Sequence, residues 1–273
     1  MRRAGEQALL FSPMGILLLV FAVAIAGLIH SSFAGRGASL YLDLLRDDGI
    51  RTVLIRTIVI SAVTTIICAV LGYPLALFLA RSRNRNLWLI LVISPWLVSI
   101  VVRTFGWMVI LGSRGVVNTT LQAIGAIGSP MRILFTPTAV TLGLVHVFLP
   151  FMVIAILSSL LQMDRRLEEA SRILGATRWQ TFRSVTLPLS VPGLMGGCSL
   201  ILLMATGAIV TPLLLGGLRD RMLGTQIYTE IFQVFNFQRA SALAVILLIV
   251  ALAMVTPLRF AEGRIRRRLG AAS

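Results

Sequence analysis

Lysine is absent from this 273-residue chain, and all 25 of its basic residues are arginine. A phosphate-binding loop of the G-x-x-x-x-G-K type is therefore excluded, so the chain does not bind ATP by that route. Acids are scarce too. None of the ten (Glu6, Asp43, Asp47, Asp48, Asp164, Glu168, Glu169, Asp220, Glu230 and Glu262) falls within a long apolar run. Carriers driven by protons or sodium usually need ionisable groups inside the membrane, and this chain offers no carboxylate there. Two histidines leave little material for a metal site or a nucleophile–base pair. No metal ligand set and no catalytic residue is expected. The two cysteines, Cys68 and Cys198, each sit in an apolar run. They read as small membrane-buried residues with no disulfide or metal role. Strand-like alternation and tandem repeats are also missing.

What is present is apolar. Hydrophobic residues make up 57% of the chain and charged residues 13%, where a soluble domain carries about 25% charge. The expected fold class is all-α, a polytopic membrane protein of six transmembrane helices. The spans run from about Met14 to Phe33, Thr57 to Ala80, Leu87 to Leu111, Thr136 to Leu161, Val191 to Leu215 and Ala240 to Phe260. Each reaches the roughly 20 residues that cross a bilayer. A basic start before an apolar run also fits a secretory signal, with Ser32-Phe33-Ala34 as a faint cleavage pattern. The length of the run favours an uncleaved first helix. Leu40, Leu44 and Leu45, beside Asp43, Arg46, Asp47 and Asp48, predict a short surface helix. Gly193 and Gly197 predict close helix packing.

The net charge of +15 invites a nucleic-acid reading, but its distribution follows topology. With both termini in the cytoplasm, fifteen arginines fall on inner segments and nine on outer loops, and Arg103 lies inside a span. That bias orients the chain. Three regions are expected: 1–56 (cytoplasmic start, first helix and outer loop), a core at 57–260 with a cytoplasmic segment at 162–190, and a basic cytoplasmic tail at 261–273.

The most polar long segment is LEEASRILGATRWQTFRSVTLPLSVP, Leu167 to Pro192. Leu167, Ala170, Ile173 and Leu174 form one helical stripe. Arg165, Arg166, Glu168 and Arg172 fall largely on the other faces. Gly175 is placed to end that helix in a left-handed conformation. Thr177 is placed to cap a second helix carrying Trp179, Phe182 and Val185. Pro188 and Pro192 are expected to end it and turn the chain into the membrane.

Glu169-Ala170-Ser171, then Gly175, Val185, Leu187 and Pro188, keep the spacing E-A-S-x3-G-x9-V-x-L-P. This resembles the "EAA" loop of inner-membrane permease subunits of binding-protein-dependent ABC importers. Further segments look like the spermidine/putrescine group of that family: GYPLALFLAR (72–81), SPWLVSIVVRTFGWMVIL (94–111), GVVN (115–118), HVFLPFMV (146–153) and IVTPLLLGG (209–217). The resemblance spans about 57–260. It implies the type I importer fold and a coupling segment in which Glu169, Ala170, Leu174, Gly175, Ala176 and Pro188 contact an ATPase. It implies as partners two ATPase subunits, a second permease subunit of homologous but different sequence, an extracytoplasmic solute-binding protein and the lipid bilayer, with no nucleic acid. ATP and Mg belong to the ATPase, and this chain binds no cofactor and is no enzyme by itself. The location implied is the bacterial inner membrane. A polyamine member is expected to carry a carboxylate near the VTP-LLGG segment, where Ala208 and Leu213 stand here. The solute class is therefore polyamine, opine or amino-acid-like. A carrier or channel without an ATPase is the alternative.

Four residues within the apolar runs are candidates for the solute path: Arg103, Trp107, His146 and Thr211. A charge at mid-helix costs roughly 2.5–3.5 kcal/mol, so it usually faces protein or water. Arg103 either snorkels to the outer headgroups or lines the path. His146 is either a packing residue or a ligand contact. Trp96 and Trp107 are interface anchors or cage walls.

Overall fold

The fold is built on a central helix that packs against most of its neighbours. A computed structural model describes residues 2–34, 37–217 and 220–270, with side chains of these other than 2–13, 165 and 265–270. The side chains of Arg2, Arg3, Glu6, Arg165, Arg266, Arg267 and Arg268, together with Arg36, Arg219 and residues 271–273, lie outside the described set. Described residues form helices and connecting turns, with no strand among them.

In chain order the helices are α1 (Arg2–Phe33), α2 (Ala38–Arg46), α3 (Asp48–Arg81), α4 (Arg85–Leu97), α5 (Ile100–Leu111), α6 (Val116–Ala123), α7 (Pro137–Gln162), α8 (Arg165–Ile173), α9 (Arg178–Thr181), α10 (Leu187–Thr206), α11 (Val210–Leu215), α12 (Leu223–Phe232) and α13 (Phe237–Gly270). A π turn at Phe182–Thr186 joins α9 to α10. Among the described residues, six stretches are long and apolar enough to cross a membrane: Met14–Phe33, Asp48–Arg81, Ile100–Ala123, Pro137–Gln162, Arg178–Thr206 and Phe237–Arg264.

The expected spans differ from these in four informative ways. The second begins at Asp48, because the Asp47 carboxylate accepts from the backbone N–H of Gly49 and Ile50 and starts the helix early. The third is not one helix but α4 and α5, broken at Val98–Ser99. Pro95 has no N–H for the Leu91 carbonyl, and the Ser94 hydroxyl donates to that carbonyl instead, at 2.9 Å. The fifth stops at Thr206, and α11 is a separate short helix. A proline ring clashes with the carbonyl four residues back in a continuous helix. Pro212 therefore sits near the start of α11, after the break at Gly207–Ile209. The sixth runs on to Gly270, so the expected tail continues α13 up to there. The loops that precede α7 and α13 also contain helices, α6 and α12. The expected surface helix is α2, with Leu40 and Leu44 buried and Leu45 exposed.

Helix α7 forms the core. Its Leu144, Met152, Val153 and Ile156 are almost fully buried against α3, α10 and α11. Glycines let α3 and α10 close on it. A Cβ at Gly72 would lie 2.8 Å from Met152 Cγ, and one at Gly197 would lie 2.7 Å from Met152 Sδ. Both Gly193 and Gly197 thus serve the close packing expected of them. At the other extreme, α1 is barely covered and leans on α13, where the Ser241 hydroxyl donates to Ser31. Its exposed Leu and Val side chains suit a lipid solvent. At the end of the molecule carrying α2 and α12, Glu230 is buried, pairs with Arg239 at 3.2 Å and accepts from Gln226 at 3.1 Å. Arg239 also reaches Asp47, at 3.3 Å. This chain of charges ties α12 and α13 to the start of α3.

Candidate functional site

The segment between α7 and α10 begins with a cap. Asp164 follows α7, and its carboxylate accepts from Arg166 N at 2.9 Å, which starts α8. The helix ends in a Schellman turn. Ala176 N donates to Ser171 O at 3.1 Å, and Gly175 N donates to Arg172 O at 3.0 Å. Gly175 carries the φ of +88° that this turn requires. Thr177 then caps α9 in a reciprocal box. Gln180 N donates to Thr177 Oγ1, and Thr177 N donates to Gln180 Oε1 at 2.7 Å. The glycine stop and threonine start are those expected from the sequence.

The prolines are not. Pro188 and Pro192 both lie inside α10, and the helix passes through them. The reason is the π turn at Phe182–Thr186 just before. Its wider hydrogen-bond spacing leaves room for the ring of Pro188 and for its missing N–H. The chain therefore enters the membrane as one continuous rod from α9, with no break at Pro188.

Helix α8 is seated in an unusual way. Its apolar side chains point out: Leu167 is 48% exposed, Ile173 85% and Leu174 88%, and Trp179 beside them is 67% exposed. Glu169, Ala170, Arg172 and Gly175 are exposed as well, while Ala176 is half-buried. Among the described side chains of α8, Glu168 and Ser171 turn inward. Glu168 accepts from the Thr186 hydroxyl at 2.6 Å and pairs with Arg81 at 3.4 Å. Ser171 meets Thr181, oxygen to oxygen, at 3.3 Å. The sequence places Glu168 off the apolar stripe, and the structure shows that its side is the one turned inward. The i, i+3 spacing of Glu168 and Ser171, which puts both on one side of the helix, was the available signal. Trp179 stacks on Phe182 with ring centroids 5.3 Å apart, and Phe182 meets Tyr73 of α3 edge-on at 5.8 Å. Tyr73 and Ser190 share a 2.6 Å hydrogen bond.

The four path candidates sit on α5, α7 and α11. Trp107 Nε1 donates to His146 Nδ1 at 3.0 Å. An indole N–H can only donate, so His146 Nδ1 is the acceptor in that contact. Arg103 lies one turn before Trp107. It donates through Nη2 to the Val98 carbonyl at 3.1 Å, which serves the broken end of α4. Its Nε and Nη1 are buried and find no protein partner. Thr211 is buried, and its methyl lies 2.7 Å from where a Cβ of Gly143 would be, one turn from His146 on α7. The structure thus brings α5 and α11 against this stretch of α7. Trp96 stands apart from it, edge-on to Phe151 at 5.8 Å.

Comparison with known proteins follows this geometry. Residues 69–270 match the family described as "Binding-protein-dependent transport system inner membrane component". The chain belongs to that family. It is 38% identical over 200 residues to the spermidine/putrescine transport system permease protein PotB of Escherichia coli (strain K12), covering 72% of this chain and 73% of that one. It is 40% identical over 187 residues to the protein of the same name from Haemophilus influenzae, covering 68% and 65%. The fold resembles that of a chain in a bacterial alginate ABC transporter solved with its alginate pentasaccharide-bound periplasmic protein, with a TM-score of 0.80 at 22% identity, covering 97% and 96%. The chain is thus a multi-pass inner-membrane transport permease with the fold of ABC importer permeases, a subunit of a binding-protein-dependent importer of small solutes. Family membership favours this over a carrier or channel that works alone.

Proposed function

We propose that this permease subunit moves a small organic solute of the polyamine, opine or amino-acid-like class by alternating access, driven by ATP hydrolysis on a separate ATPase. The observation that carries the coupling is the outward apolar face of α8. Leu167, Ile173 and Leu174 are exposed on a short polar-seated helix in the longest polar segment of a membrane protein. An apolar stripe facing away from its own fold is the form of a helix that lies in a partner's groove. Glu169, Ala170, Leu174, Gly175 and Ala176 form or flank that contact, and Pro188 belongs to the rod that carries it into the membrane. The partners in this reading are two ATPase subunits holding ATP and Mg, a second and homologous permease chain, and an extracytoplasmic binding protein. Both termini and α8 face the cytoplasm, as the arginine bias supports.

Copurification tests the coupling. Co-expressed with its cognate ATPase, the wild-type chain is expected to carry that subunit through detergent purification. Leu174→Asp places a charge on the contact face and should cut the bound ATPase by about ten-fold, the effect of a charge buried without a partner at an interface. Equal binding by the variant would remove α8 as the docking element.

The solute path in this reading runs past Arg103, Trp107, His146 and Thr211. The unpartnered Arg103 donors support this, because buried cationic nitrogens call for an acceptor. Arg103→Gln is expected to lower uptake from a loaded binding protein by about ten-fold or more while ATPase binding stays normal. Unchanged uptake and unchanged solute preference would return Arg103 to a purely structural role at the α4–α5 break.

A further inference from the structure

An amphipathic surface helix usually buries its apolar stripe and shows its polar face to water. Helix α8 does the reverse. Its exposed apolar stripe leaves polar groups, Glu168 and Ser171, to hold it on its own protein. Of the two, Glu168 makes the longer reach. Its carboxylate is 16% exposed and accepts from Thr186 Oγ1, in the π turn that leads into α10, at 2.6 Å. It also meets the Arg81 guanidinium at the last residue of α3, at 3.4 Å. One carboxyl group therefore joins α8, the end of α3 and the start of the α10 rod. Charged hydrogen bonds are directional and about twice as strong as neutral ones. They hold an orientation where a loose apolar contact would slide.

A second route runs in parallel. Trp179 on the exposed knob stacks on Phe182, Phe182 meets Tyr73 of α3, and Tyr73 bonds to Ser190 of α10. Both routes end on the same two helices, at Tyr73 and Arg81 of α3 and at Thr186 and Ser190 at the head of α10. These helices pack against the central α7. Movement of α8 thus has a defined path into the membrane core.

We propose that Glu168 is the positioning residue of this permease, the latch that makes α3 and α10 move with α8. It does not touch the ATPase, whose contact is the opposite face of the helix. The inference rests on the reading that α8 docks an ATPase, and it adds how the docked helix is joined to the membrane body.

The test uses the assembled complex of permease pair and ATPase in lipid nanodiscs, with Cys68 and Cys198 replaced by alanine. Spin labels are placed on Arg172→Cys in α8, outside the docking residues, and Arg83→Cys beyond the end of α3, both at exposed positions. Distances are read by pulsed electron resonance without nucleotide and with Mg-ATP and vanadate. With Glu168 intact, the distribution should be narrow and the same in both states, because the two elements move together. With Glu168→Gln or Thr186→Val, it should broaden when Mg-ATP and vanadate are added, while the ATPase still copurifies. The double exchange Glu168→Arg with Arg81→Glu should narrow it again, since Thr186 can accept from an arginine as well as donate to a carboxylate. A distance that changes with nucleotide when Glu168 is intact overturns the proposal. So does a distribution that stays narrow in both single variants. A Glu168-intact chain that never holds the ATPase would instead overturn the docking reading, which the same purification reveals before any label is read.

Discussion

Gly175→Val is expected to reach the membrane in normal amount and to hold about 5–30-fold less of the ATPase than the wild-type chain. No atom lies within 4 Å of the position a Cβ would take there, so the side chain meets no obstacle. The effect is one of backbone alone. At φ +88° a residue with a Cβ is strained by about 1–2 kcal/mol, and a β-branched one by more. Relief comes by rotating out of the left-handed region. That rotation undoes the two bonds from Gly175 N and Ala176 N that close α8, and it re-aims Leu174 and the whole of α9. A strain of that size shifts the population of the correct turn by about 5–30-fold. Bound ATPase and ATP hydrolysis should fall by a similar factor. Asparagine tolerates the left-handed region, so Gly175→Asn is expected to keep most of both. Normal coupling in the valine variant, or equal damage by asparagine, would show that the turn conformation is not what matters.

Gly193→Val has the opposite character, because the space is what forbids it. A Cβ at Gly193 would stand 2.5 Å from Ser159 Cβ and 2.6 Å from the Ala155 carbonyl oxygen. The second of these is backbone and cannot swing aside. Helices α7 and α10 must separate, which also breaks the bond from Ser159 Oγ to the Leu189 carbonyl at 3.3 Å. Overpacking of this kind costs about 3 kcal/mol, or about 6–12 °C in the melting temperature of the purified subunit. Gly196 lies one turn along the same helix with nothing within 4 Å. Gly196→Val is expected to change stability by less than about 0.5 kcal/mol. Fluorescence-detected size-exclusion after heating separates the two. Similar melting of both variants would mean that the α7–α10 contact is looser than its geometry.

Much of the coupling segment is written locally, and local signals are what a sequence carries well. Gly175 at the end of an apolar stripe and Thr177 three residues before Gln180 each act on backbone groups within a turn of themselves. The same holds for Asp47 and Asp164 as helix starters. The apolar runs that mark the spans are local as well, since every backbone group in lipid must bond within its own helix. The broken spans were harder to see. Pro95 and Pro212 announced trouble, but a run of apolar residues on both sides masked where the chain would part. Pro188 was misread for a related reason. A proline ends a regular helix, and whether a π turn ahead of it makes room is decided by the surroundings of Phe182 and Thr186.

The sequence by itself determined that the chain is helical, spans a membrane, favours one orientation and carries a glycine-stopped segment of importer type. The tertiary structure alone decided which side of that segment is inside. Glu168 meets Arg81 and Thr186, residues 87 positions before and 18 after it. Trp107 and His146 meet across 39 positions. No spacing rule reaches that far. A carboxylate on a short helix looks solvated until the fold brings a guanidinium and a hydroxyl to it, and then it becomes the point by which the helix is held. The apolar stripe faces out as a consequence, because the inner face was already taken by hydrogen bonds.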